Sequence, residues 1–469
     1  MNIIHISAEC YPISKVGGLA DVVGSLPKYQ KNRNTTSQLI TPLYETPFTK
    51  SNEFETIYES ALALGKEIYD YKVLKLKKNA LEFDVFFIDI PQLLFKNYVY
   101  SFDDTKRFLS FQIATLNWLL TWKEKPSIIH CHDHHTGLIP FMLQESYVYE
   151  ILNKIPVVFT IHNAQYQGAF SHDLVGCIPE FNFSHVGLLD WNHQINPLAS
   201  AIKCAWAVTT VSPSYMNELK QSASGLEQLL QHESSKCVGI LNGIDSTVWN
   251  PETDSYIEKN FNQETLETGR DANKKWLCET YNLDASKPLF AFIGRLVHEK
   301  GSDLLPQVFE SVLQNNDVSI LVLGSGNEET QNQLKKLIND HKNYYYAFIG
   351  YDERLSHIMY AGVDFLLMPS RVEPCGLNQL YALRYGSIPI VRSTGGLKDT
   401  VIDIENNGFG IVHQEVDVSQ IIQAIERAKA LYNDKIKFNK LRKQIMEIDH
   451  SWFVSANEYI KLYKFLLKN

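Results

Sequence analysis

Two loops in the C-terminal half of the sequence carry residues that could bind a phosphorylated sugar. The apolar run Val363 to Met368 is typical of a buried strand, and the polar loop after it contains Glu373. A second predicted strand, Ile388 to Val391, leads into Thr394-Gly395-Gly396, which opens a predicted helix. A carboxylate suits sugar hydroxyls, and amides at a helix N-terminus suit a phosphate. The same pattern is also typical of an ordinary α/β core, so the pattern alone leaves both interpretations open.

Two further clusters combine cations with glycines or with a strand end. Lys15, Gly17, Gly18 and Asp21 lie in one heptapeptide, Lys15-Val16-Gly17-Gly18-Leu19-Ala20-Asp21, that follows the first predicted strand. The glycines allow backbone amides to approach an oxyanion, and the lysine adds positive charge. The second cluster, Arg295 and Lys300, follows the first strand of the C-terminal half and suits a diphosphate. The ordinary interpretations are a common glycine turn, an aspartate that only stabilises the helix dipole, and a solvated basic loop.

Histidines at two predicted strand ends are also candidates. His162-Asn163 follows the buried segment Pro156 to Ile161, where the histidine either contacts a ligand or only hydrogen-bonds a loop. The run His132-Asp133-His134-His135 contains metal-ligand residue types. Metal-binding histidines are usually spaced so that two or three converge, with partners behind them. We therefore expect no metal site in this run.

The elements that must position these residues form two successive runs of alternating strands and helices. We predict an α/β fold with two Rossmann-like domains facing each other across a deep cleft, in residues 1–244 and 245–452. Residues 453–469 are predicted to form a helix rich in aromatic residues. The second run is expected to begin at Pro288, after a polar linker from Asp245 to Ser255.

Two segments of the first half fit this scheme less directly. Glu67 to Lys77 and Glu82 to Ile88 alternate as strands, which predicts a hairpin-like insertion beside the parallel sheet. The polar link from Lys31 to Thr36 is expected to be a flexible surface loop.

Composition excludes several classes of function. The chain has 469 residues, which suggests two or three domains, and a net charge of -9, which disfavours nucleic acid as a partner. The seven cysteines are scattered and never spaced C-x-x-C, as expected for reduced thiols. No secretory signal and no apolar run of about 20 residues is present, so we expect a cytoplasmic protein without membrane contact.

Several of these motifs together resemble one known family. The stretches Glu373-Pro374-Cys375-Gly376-Leu377-Asn378-Gln379 and Thr394-Gly395-Gly396-Leu397-Lys398-Asp399 are similar to the nucleotide-sugar signature of bacterial glycogen synthases and plant starch synthases. The Lys15 heptapeptide, the Arg295 to Lys300 segment, Thr160-Ile161-His162-Asn163 and Asn242-Gly243-Ile244-Asp245 resemble further motifs of that family. The resemblance covers nearly the whole chain. It implies GT-B architecture, with the last helix packed back on the N-terminal domain.

The resemblance also implies roles for individual residues. Lys15 and the Gly17 and Gly18 amides are implied at the donor diphosphate or the acceptor, and Asp21 near the sugar or nucleotide. Arg295 and Lys300 are implied at the distal phosphate, and His162 at the donor 6-hydroxyl. The other implied substrate contacts are Asp133, Asn242, Tyr351, Glu373, Cys375, Gly376, Leu377, Thr394, Gly395 and Gly396. Hinge capping is the alternative for Asn242 and core packing for Tyr351, while His134 replaces an aromatic residue that the family usually has.

The activity implied is transfer of glucose from a nucleotide sugar to the 4-hydroxyl of an α-1,4-glucan, with retention of configuration. We expect ADP-glucose as the donor, and UDP-glucose stays open. Glu373 either hydrogen-bonds glucose or acts as a nucleophile; only one obvious carboxylate flanks the donor, which favours a mechanism in which the leaving phosphate takes the acceptor's proton. The sequence contains no Asp-x-Asp triplet, so we expect no metal and no other cofactor, with Arg295 and Lys300 neutralising the leaving group.

Three alternatives were weighed against this interpretation. A GT-B enzyme with a small acceptor, such as a sucrose or trehalose-phosphate synthase, is disfavoured by the Lys15 heptapeptide. A dinucleotide-dependent oxidoreductase would need Gly-x-Gly-x-x-Gly after the first strand, and Ser7 to Gly18 has no such pattern. A non-catalytic glucan-binding homologue is disfavoured because all the assigned polar positions are intact. The sequence makes no prediction of oligomeric state.

Overall fold

The computed structural model describes residues 1–31 and 34–468, which divide into two compact units. Unit 1 comprises Met1–Leu241 together with the C-terminal segment that begins at Trp452, and unit 2 comprises Asn242–Ser451. The sequence places these junctions a few residues later, at 244/245 and 452/453. Asn242 therefore lies in unit 2, although it was assigned to the first domain. Asn32 and Arg33, in the link expected to be a flexible loop, lie outside the described residues.

Unit 1 contains one nine-stranded sheet within the described residues, in the order β11-β10-β7-β6-β1-β2-β5-β4-β3, and a separate strand pair, β8-β9. The strands are β1 (Asn2–Ile6), β2 (Thr36–Pro42), β3 (Phe54–Leu64), β4 (Glu67–Leu76), β5 (Asp84–Asp89), β6 (Ile128–His132), β7 (Val157–Ile161), β8 (Asp190–Trp191), β9 (Gln194–Ile195), β10 (Ala207–Thr210) and β11 (Cys237–Gly239). From β11 to β5 all neighbours in the large sheet are parallel.

The predicted hairpin-like segment is continuous with this sheet. Strands β4 and β5 pair antiparallel, and β5 pairs parallel with β2. A third strand, β3, pairs antiparallel with β4 at the edge and was not predicted. Most of its side chains are exposed or half-buried, so it lacks the apolar pattern that marks the inner strands.

Helices cover the large sheet of unit 1: α1 (Gly18–Gln30), α2 (Pro47–Ser51), α3 (Thr105–Thr121), α4 (Ile139–Glu145), α5 (Pro197–Cys204), α6 (Pro213–Leu219) and α7 (Glu227–His232). Helix α5 begins as the sequence predicts. Asn196 is its N-cap, with its side-chain oxygen 2.9 Å from the Ala199 amide, and Pro197 occupies the first helical position.

Unit 2 is built on a six-stranded, fully parallel sheet in the order β14-β13-β12-β15-β16-β17. Its strands are β12 (Leu289–Ile293), β13 (Ser319–Gly324), β14 (Tyr345–Ile349), β15 (Phe365–Met368), β16 (Ile388–Arg392) and β17 (Ile411–His413). Its helices are α8 (Leu266–Tyr281), α9 (Leu305–Leu313), α10 (Glu328–Asp340), α11 (Glu353–Gly362), α12 (Asn378–Arg384), α13 (Gly395–Thr400), α14 (Val418–Asn433) and α15 (Lys435–Met446). Two apolar clusters fill the space between this sheet and its helices.

The last helix, α16 (Trp452–Leu466), packs on unit 1. Its buried face includes Tyr459 and Tyr463, which share an apolar cluster with Ile3 of β1 and with Val22 and Leu26 of α1. The prediction that this helix returns to the N-terminal domain is confirmed, because Trp452, Tyr459 and Tyr463 are buried in that domain's core, while Phe453 and Phe465 are exposed.

The prediction of a linker from Asp245 to Ser255 is wrong. Trp249 stacks on His357 and on Tyr381, with ring centroids 3.8 Å away in each case. Asp254 is 5% exposed, and its carboxylate lies 2.7 Å from His357 Nδ1. Unit 2 therefore begins well before Pro288. The polar composition of this segment concealed a tryptophan and an aspartate that both have partners within the unit.

No helix among the described residues is long and apolar enough to cross a bilayer.

Candidate active site

The loops after β12 and β15, which were predicted as separate groups, meet at Lys300 and Glu373. Lys300 follows β12 and Glu373 follows β15, and these strands are neighbours in the sheet. The Lys300 Nζ lies 2.6 Å from each carboxylate oxygen of Glu373, and the Ser370 hydroxyl donates to Oε2 at 2.9 Å. Glu373 is 5% exposed, whereas the lysine side chain is 26% exposed. The pair therefore places a buried acceptor of hydrogen bonds behind a cation that solvent or a ligand can reach.

Backbone contacts hold these two loops together. The amides of Arg371 and Val372 donate to the Glu299 carbonyl at 2.8 and 3.2 Å. Gly301 has φ +68°, and a Cβ at this position would lie 2.3 Å from the Pro369 carbonyl oxygen. Only glycine allows this close approach in this conformation. The position of Lys300 opposite Glu373 thus follows from backbone geometry on both sides.

The glycine pair after β16 packs against the Glu373 loop. Cβ atoms on Gly395 and Gly396 would lie 2.0 Å from the Glu373 carbonyl oxygen and 2.1 Å from the Cys375 carbonyl oxygen, respectively. The Gly396 amide donates to the Glu373 carbonyl at 3.1 Å. Of the amides predicted to face a phosphate, this one is engaged within the unit. The glycines are required here first because two backbones touch.

Neighbouring predicted residues occupy the same end of the unit 2 sheet. Thr394 is the N-cap of α13, and Leu377 is the N-cap of α12. Gly376 has φ +74°, in the turn that leads into α12. Cys375 is buried, and this burial raises the pKa of its thiol to about 12, so the side chain stays a neutral thiol.

Three other predicted residues of unit 2 differ in their environments. Arg295 is 63% exposed and its guanidinium lies 3.8 Å from Glu299, which leaves it accessible to an anion. Tyr351 is 79% exposed, so the alternative of core packing is wrong. The side chain of Asn242 is buried, and its Oδ1 has no hydrogen-bond partner among the described residues. A buried polar atom without a partner is costly, and a ligand hydroxyl at this point would satisfy it.

In unit 1, a carboxylate holds the glycine loop after β1. Glu9 Oε2 accepts hydrogen bonds from the amides of Val16 at 2.6 Å and Gly17 at 3.0 Å. Its other oxygen accepts from the Tyr100 hydroxyl. The Gly17 amide, predicted to face an oxyanion, is thus engaged by Glu9. This glutamate was not predicted, although its place three residues after a buried strand was a usable signal.

The side chains around this loop leave space on one side. Cβ atoms built on Gly17 and on Gly18 would meet nothing within 4 Å. Lys15 Nζ lies 2.7 Å from Asp21 Oδ1, and the two side chains are 45% and 26% exposed. Packing within the described residues therefore does not require these glycines, in contrast to Gly395 and Gly396.

Asp133 and His162 lie side by side at the ends of β6 and β7. Asp133 Oδ1 accepts the His162 amide at 2.7 Å, and the Asp133 backbone has φ 56°. Burial raises the pKa of the Asp133 carboxyl to about 7, although the amides of His162 and Asn163 oppose this shift. Burial lowers the pKa of His162 to about 3, which keeps its imidazole neutral.

The histidines next to Asp133 pack against an aromatic ring. His135 stacks on Tyr100, with centroids 4.5 Å apart, and His134 lies 3.7 Å from His135 by the same measure. Burial lowers the pKa of His134 to about 4. His134 and His135 are therefore neutral rings packed next to Tyr100 and do not form a separate charged group.

A different trio of histidines has metal-like spacing. One ring nitrogen from each of His5, His130 and His132 lies within 4.8 Å of the others, which among the described residues is the one such group. All six ring nitrogens are already hydrogen-bonded, to each other or to Gln30, Thr160, His162 and Tyr463. These contacts satisfy the imidazoles as hydrogen-bonding groups without an ion.

Sequence reasoning missed Glu9, Tyr100, Ser370, His5 and Gln30. Ser370 lies in the same polar loop as Glu373, and Glu9 lies three residues after the end of β1. His5, His130 and His132 stand at alternating or paired strand positions, a visible signal because such residues share one face of a sheet. Gln30 and Tyr100 gave no signal, since His5 and Glu9, which they contact, lie 25 and 91 positions away.

Two family models match the chain. The model described as the starch synthase catalytic domain matches residues 2–232, and the model described as glycosyl transferases group 1 matches residues 277–447. A glycogen synthase of Flavobacterium johnsoniae is 52% identical over 471 residues, and the match covers 100% of both chains. A glycogen synthase of Anoxybacillus flavithermus is 34% identical, covering 100% of this chain and 98% of its own.

Solved structures agree with these matches. The catalytic domain of starch synthase IV from Arabidopsis thaliana, bound to ADP and acarbose, has a TM-score of 0.91 and 32% identity, covering 100% of this chain and 99% of that chain. A sucrose-phosphate synthase from Thermosynechococcus elongatus has a TM-score of 0.64 at 15% identity over the same coverage, which shows the fold alone.

The two Rossmann-like units, the Lys300–Glu373 site and these matches define a GT-B glycosyltransferase that transfers glucose. The chain belongs to the family of bacterial glycogen synthases and plant starch synthases. The resemblance inferred from the motifs is confirmed, and membership of this family removes the oxidoreductase alternative.

Proposed function

We propose that this protein transfers glucose from ADP-glucose to the non-reducing 4-hydroxyl of an α-1,4-glucan, with retention of configuration. The observation that carries the proposal is the buried Glu373 carboxylate, which Lys300 and Ser370 hold at the carboxyl ends of β12 and β15. Ligands of open α/β sheets bind at this end of the strands. The starch synthase IV structure from Arabidopsis thaliana is bound to ADP and acarbose, which supports an adenine nucleotide and a glucan-like ligand.

In this proposal the cations of unit 2 stabilise the leaving group. The charge on the departing diphosphate grows as the bond between the anomeric carbon and oxygen breaks. The Lys300 ammonium, which is already fixed by Glu373, needs little reorganisation to meet this charge, and Arg295 is exposed enough to join it. The leaving phosphate oxygen takes the proton of the acceptor hydroxyl, so that attack and departure occur on one face and the configuration is retained.

The carboxylate of Glu373 has a binding role in this scheme. Its two oxygens accept hydrogen bonds from Lys300 and Ser370, and their remaining lone pairs can accept from glucose hydroxyls. Asn242, with its unpartnered oxygen, is proposed to contact the donor, and exposed Tyr351 to stack on the base. The other proposed substrate contacts in unit 2 are Cys375, Gly376, Leu377, Thr394, Gly395 and Gly396.

In unit 1 the proposed substrate contacts are Lys15, Gly17, Gly18, Asp21, Asp133 and His162. The open space beside Gly17 and Gly18 supports a close approach of substrate to that backbone. His162 is neutral, so it suits a sugar hydroxyl better than a phosphate.

We further propose that the reaction needs no metal ion or other cofactor. The support is that Lys300 and Arg295 can supply the positive charge that a metal would otherwise bring. A cytoplasmic location is also proposed, since all seven cysteines are unpaired thiols, as a reducing compartment maintains them.

Glucose labelled in the donor tests the proposal directly. The full chain is incubated with glycogen and either ADP-[14C]glucose or UDP-[14C]glucose, and label in ethanol-precipitated glucan is counted. We expect a higher kcat/KM with the ADP donor. Faster incorporation from UDP-glucose would overturn the choice of donor, and label only in small sugars would indicate a small acceptor. No incorporation from either donor would contradict the enzymatic role.

A further inference from the structure

Buried side chains of unit 1 form an unbroken hydrogen-bonded chain that ends at His162. Gln30 Oε1 lies 2.7 Å from His5 Nε2. His5 Nδ1 lies 3.0 Å from His132 Nε2, and His132 Nδ1 lies 3.0 Å from His162 Nε2. Gln30, His5 and His132 are at most 1% exposed. Solvent therefore cannot replace a partner in this part of the chain.

The sheet register explains why these rings meet. His5 of β1 pairs with His130 of β6, and His132 stands two residues further along β6, on the same face. His132 is in turn paired with Thr160 of β7, and His162 follows Thr160 by two residues. The imidazoles thus line one face across three adjacent parallel strands.

A neutral imidazole has one donor and one acceptor nitrogen, so the chain can have only one direction at a time. The Gln30 oxygen only accepts, which requires the proton of His5 on Nε2 and leaves its Nδ1 as an acceptor. His132 must then donate from Nε2 and accept at Nδ1. By the same step His162 donates from Nε2, and its Nδ1 carries a lone pair.

Two further contacts are compatible with the orientation of the Gln30 amide that starts this sequence. The Ser37 hydroxyl donates to Gln30 Oε1 at 2.9 Å, and Gln30 Nε2 donates to the Tyr463 hydroxyl at 3.1 Å. Tyr463 belongs to α16 and also lies 2.7 Å from His130 Nδ1. Both hydroxyls can donate or accept, so the placement of the amide oxygen towards His5 rests on the 2.7 Å contact itself, and the tautomer of His162 tests it.

We propose that Gln30, His5 and His132 are positioning residues that hold His162 in the Nε2-protonated tautomer, so that its Nδ1 accepts a hydrogen bond from a sugar hydroxyl. This assignment deepens the proposed function and rests on it for the identity of the ligand. Nδ1 makes no hydrogen bond to any residue that the structure describes. The lone pair of an uncharged nitrogen accepts a hydrogen bond from a hydroxyl but repels a phosphate oxygen. The hydrogen-bonded chain therefore favours a hydroxyl over a phosphate at His162 Nδ1.

Burial supports the neutrality that the argument requires. It lowers the pKa of His5 to about 4 and that of His162 to about 3, and it lowers the pKa of His132 well below the ordinary value. None of the three rings is charged at neutral pH, so each ring carries a single N–H and donates one hydrogen bond to the next acceptor in the hydrogen-bonded chain.

Imidazole nitrogen spectroscopy reads the tautomer without turnover. The full chain is labelled with 15N-histidine, and long-range 1H–15N correlations are recorded near pH 7. The His162 signals are assigned by their loss in His162→Gln. We expect Nε2 of His162 to show the shift of a protonated nitrogen and Nδ1 that of an unprotonated one. A protonated Nδ1 would mean that the chain runs in the opposite direction, and it would overturn the proposal.

Variants at the start of the chain separate positioning from simple packing. Gln30→Leu removes the acceptor, and we expect mixed tautomers at His162 with kcat/KM lowered about tenfold, the worth of one hydrogen bond. Gln30→Glu keeps an acceptor oxygen at the same point, and we expect it to restore the single tautomer. Thr36→Ala is the matched control, because it removes a side-chain hydrogen bond of β2, to Asn2 Oδ1 at 2.9 Å, that lies outside the hydrogen-bonded chain.

The outcomes distinguish this proposal from the proposed function. A single Nε2 tautomer of His162 in a protein that incorporates no glucose would contradict the proposed function, but it would agree with the positioning role of Gln30, His5 and His132. A single Nε2 tautomer of His162 in folded Gln30→Leu would contradict the positioning role of Gln30, whether or not the protein incorporates glucose. Should Gln30→Leu fail to fold, the wild-type spectrum and Gln30→Glu still decide the question.

Discussion

The ammonium nitrogen of Lys300 lies 2.6 Å from both carboxylate oxygens of Glu373, although the two residues are 73 positions apart. One cation thus serves two purposes. It satisfies a buried carboxylate, and it offers its exposed side to a ligand. Removing it therefore leaves a buried carboxylate without its cation, and under the proposed function it also removes charge from the leaving group.

We expect Lys300→Ala to lower kcat at least about 100-fold, because the leaving-group charge is no longer compensated. Steady-state rates with saturating donor measure this, and circular dichroism checks that the fold is retained. Lys335→Ala, an exposed change on α10, is the control and should keep the wild-type rate. Near-normal turnover by Lys300→Ala would refute the role.

The two glycine pairs should respond differently to an added methyl group. Gly18→Ala should leave the free energy of unfolding within about 1 kcal/mol of wild type, since nothing lies near its Cβ, yet raise the KM of a substrate. Gly396→Ala should destabilise the protein by about 1–3 kcal/mol or more, because its Cβ would overlap the Cys375 carbonyl. Urea unfolding and steady-state kinetics give both quantities. Unchanged kinetics in Gly18→Ala would argue against close approach of substrate there.

Glu9→Ala should loosen the loop from Lys15 to Gly18. Two amides lose their shared acceptor, which we expect to cost about 1–3 kcal/mol of stability and to speed proteolysis in this loop. Limited proteolysis followed by mass spectrometry locates the cut. Tyr100→Phe removes only the hydroxyl contact to Glu9 and should have the smaller effect. Equal cutting of Glu9→Ala and wild type would show that the carboxylate does not order the loop.

The buried histidines predict that stability falls as the pH is lowered from about 6.5 to 4. The unfolded imidazoles take up protons near their ordinary pKa, whereas burial lowers the pKa of His5 to about 4 and that of His162 to about 3, so the unfolded state binds more protons. Each such group contributes about 1.4 kcal/mol per pH unit in this window. Asp133, whose folded pKa is about 7, contributes the opposite slope.

His162→Gln tests this sign. The free energy of unfolding is measured in urea between pH 4.5 and 6.5 and plotted against pH. In the variant, the slope of this plot should be smaller by the contribution of about one titrating group. The control is His232→Gln, at a side chain that is 82% exposed, which should keep the wild-type slope. An unaltered slope in His162→Gln would contradict a buried neutral imidazole.

Chelation tests the proposal that no metal takes part. We expect excess EDTA to leave the rate of glucose incorporation unchanged, because Lys300 and Arg295 are proposed to carry the positive charge. The assay is run after dialysis against chelator, with and without added Mn²⁺. A loss of activity that Mn²⁺ restores would contradict the proposal.

The positions of the site residues along the chain could be predicted from the sequence, but not their pairing. Apolar strands followed by polar loops placed Glu373 and Lys300 correctly at strand ends, because buried strands have a strong local signal. Lys300 pairs with Glu373 because β12 lies beside β15, and no local sequence pattern predicts which strands are neighbours. Glu9 differs, because its place shortly after β1 was a usable signal, and only the amides that it binds, seven and eight residues further along, could not be predicted.

The segment from Asp245 to Ser255 shows the limit of composition as a guide. Its polar residues are typical of a linker, yet Asp254 is buried because His357 and Tyr385 supply its partners. Buried charges with partners look like surface charges in a sequence. The Gln30 to His162 chain illustrates the same limit, since it joins β1, β6 and α1.

The C-terminal helix has a consequence for biosynthesis. Tyr463 completes the hydrogen bonding of Gln30 and His130, and Trp452 to Leu466 cover the face of unit 1 that includes Ile3. Along the chain β1 precedes unit 2 and α16 follows it, so the ribosome makes α16 after both. Unit 2 is one continuous segment, so it can fold before α16 has been made. A nascent chain stopped before residue 452 would therefore leave an apolar surface of unit 1 exposed, to which a chaperone can bind.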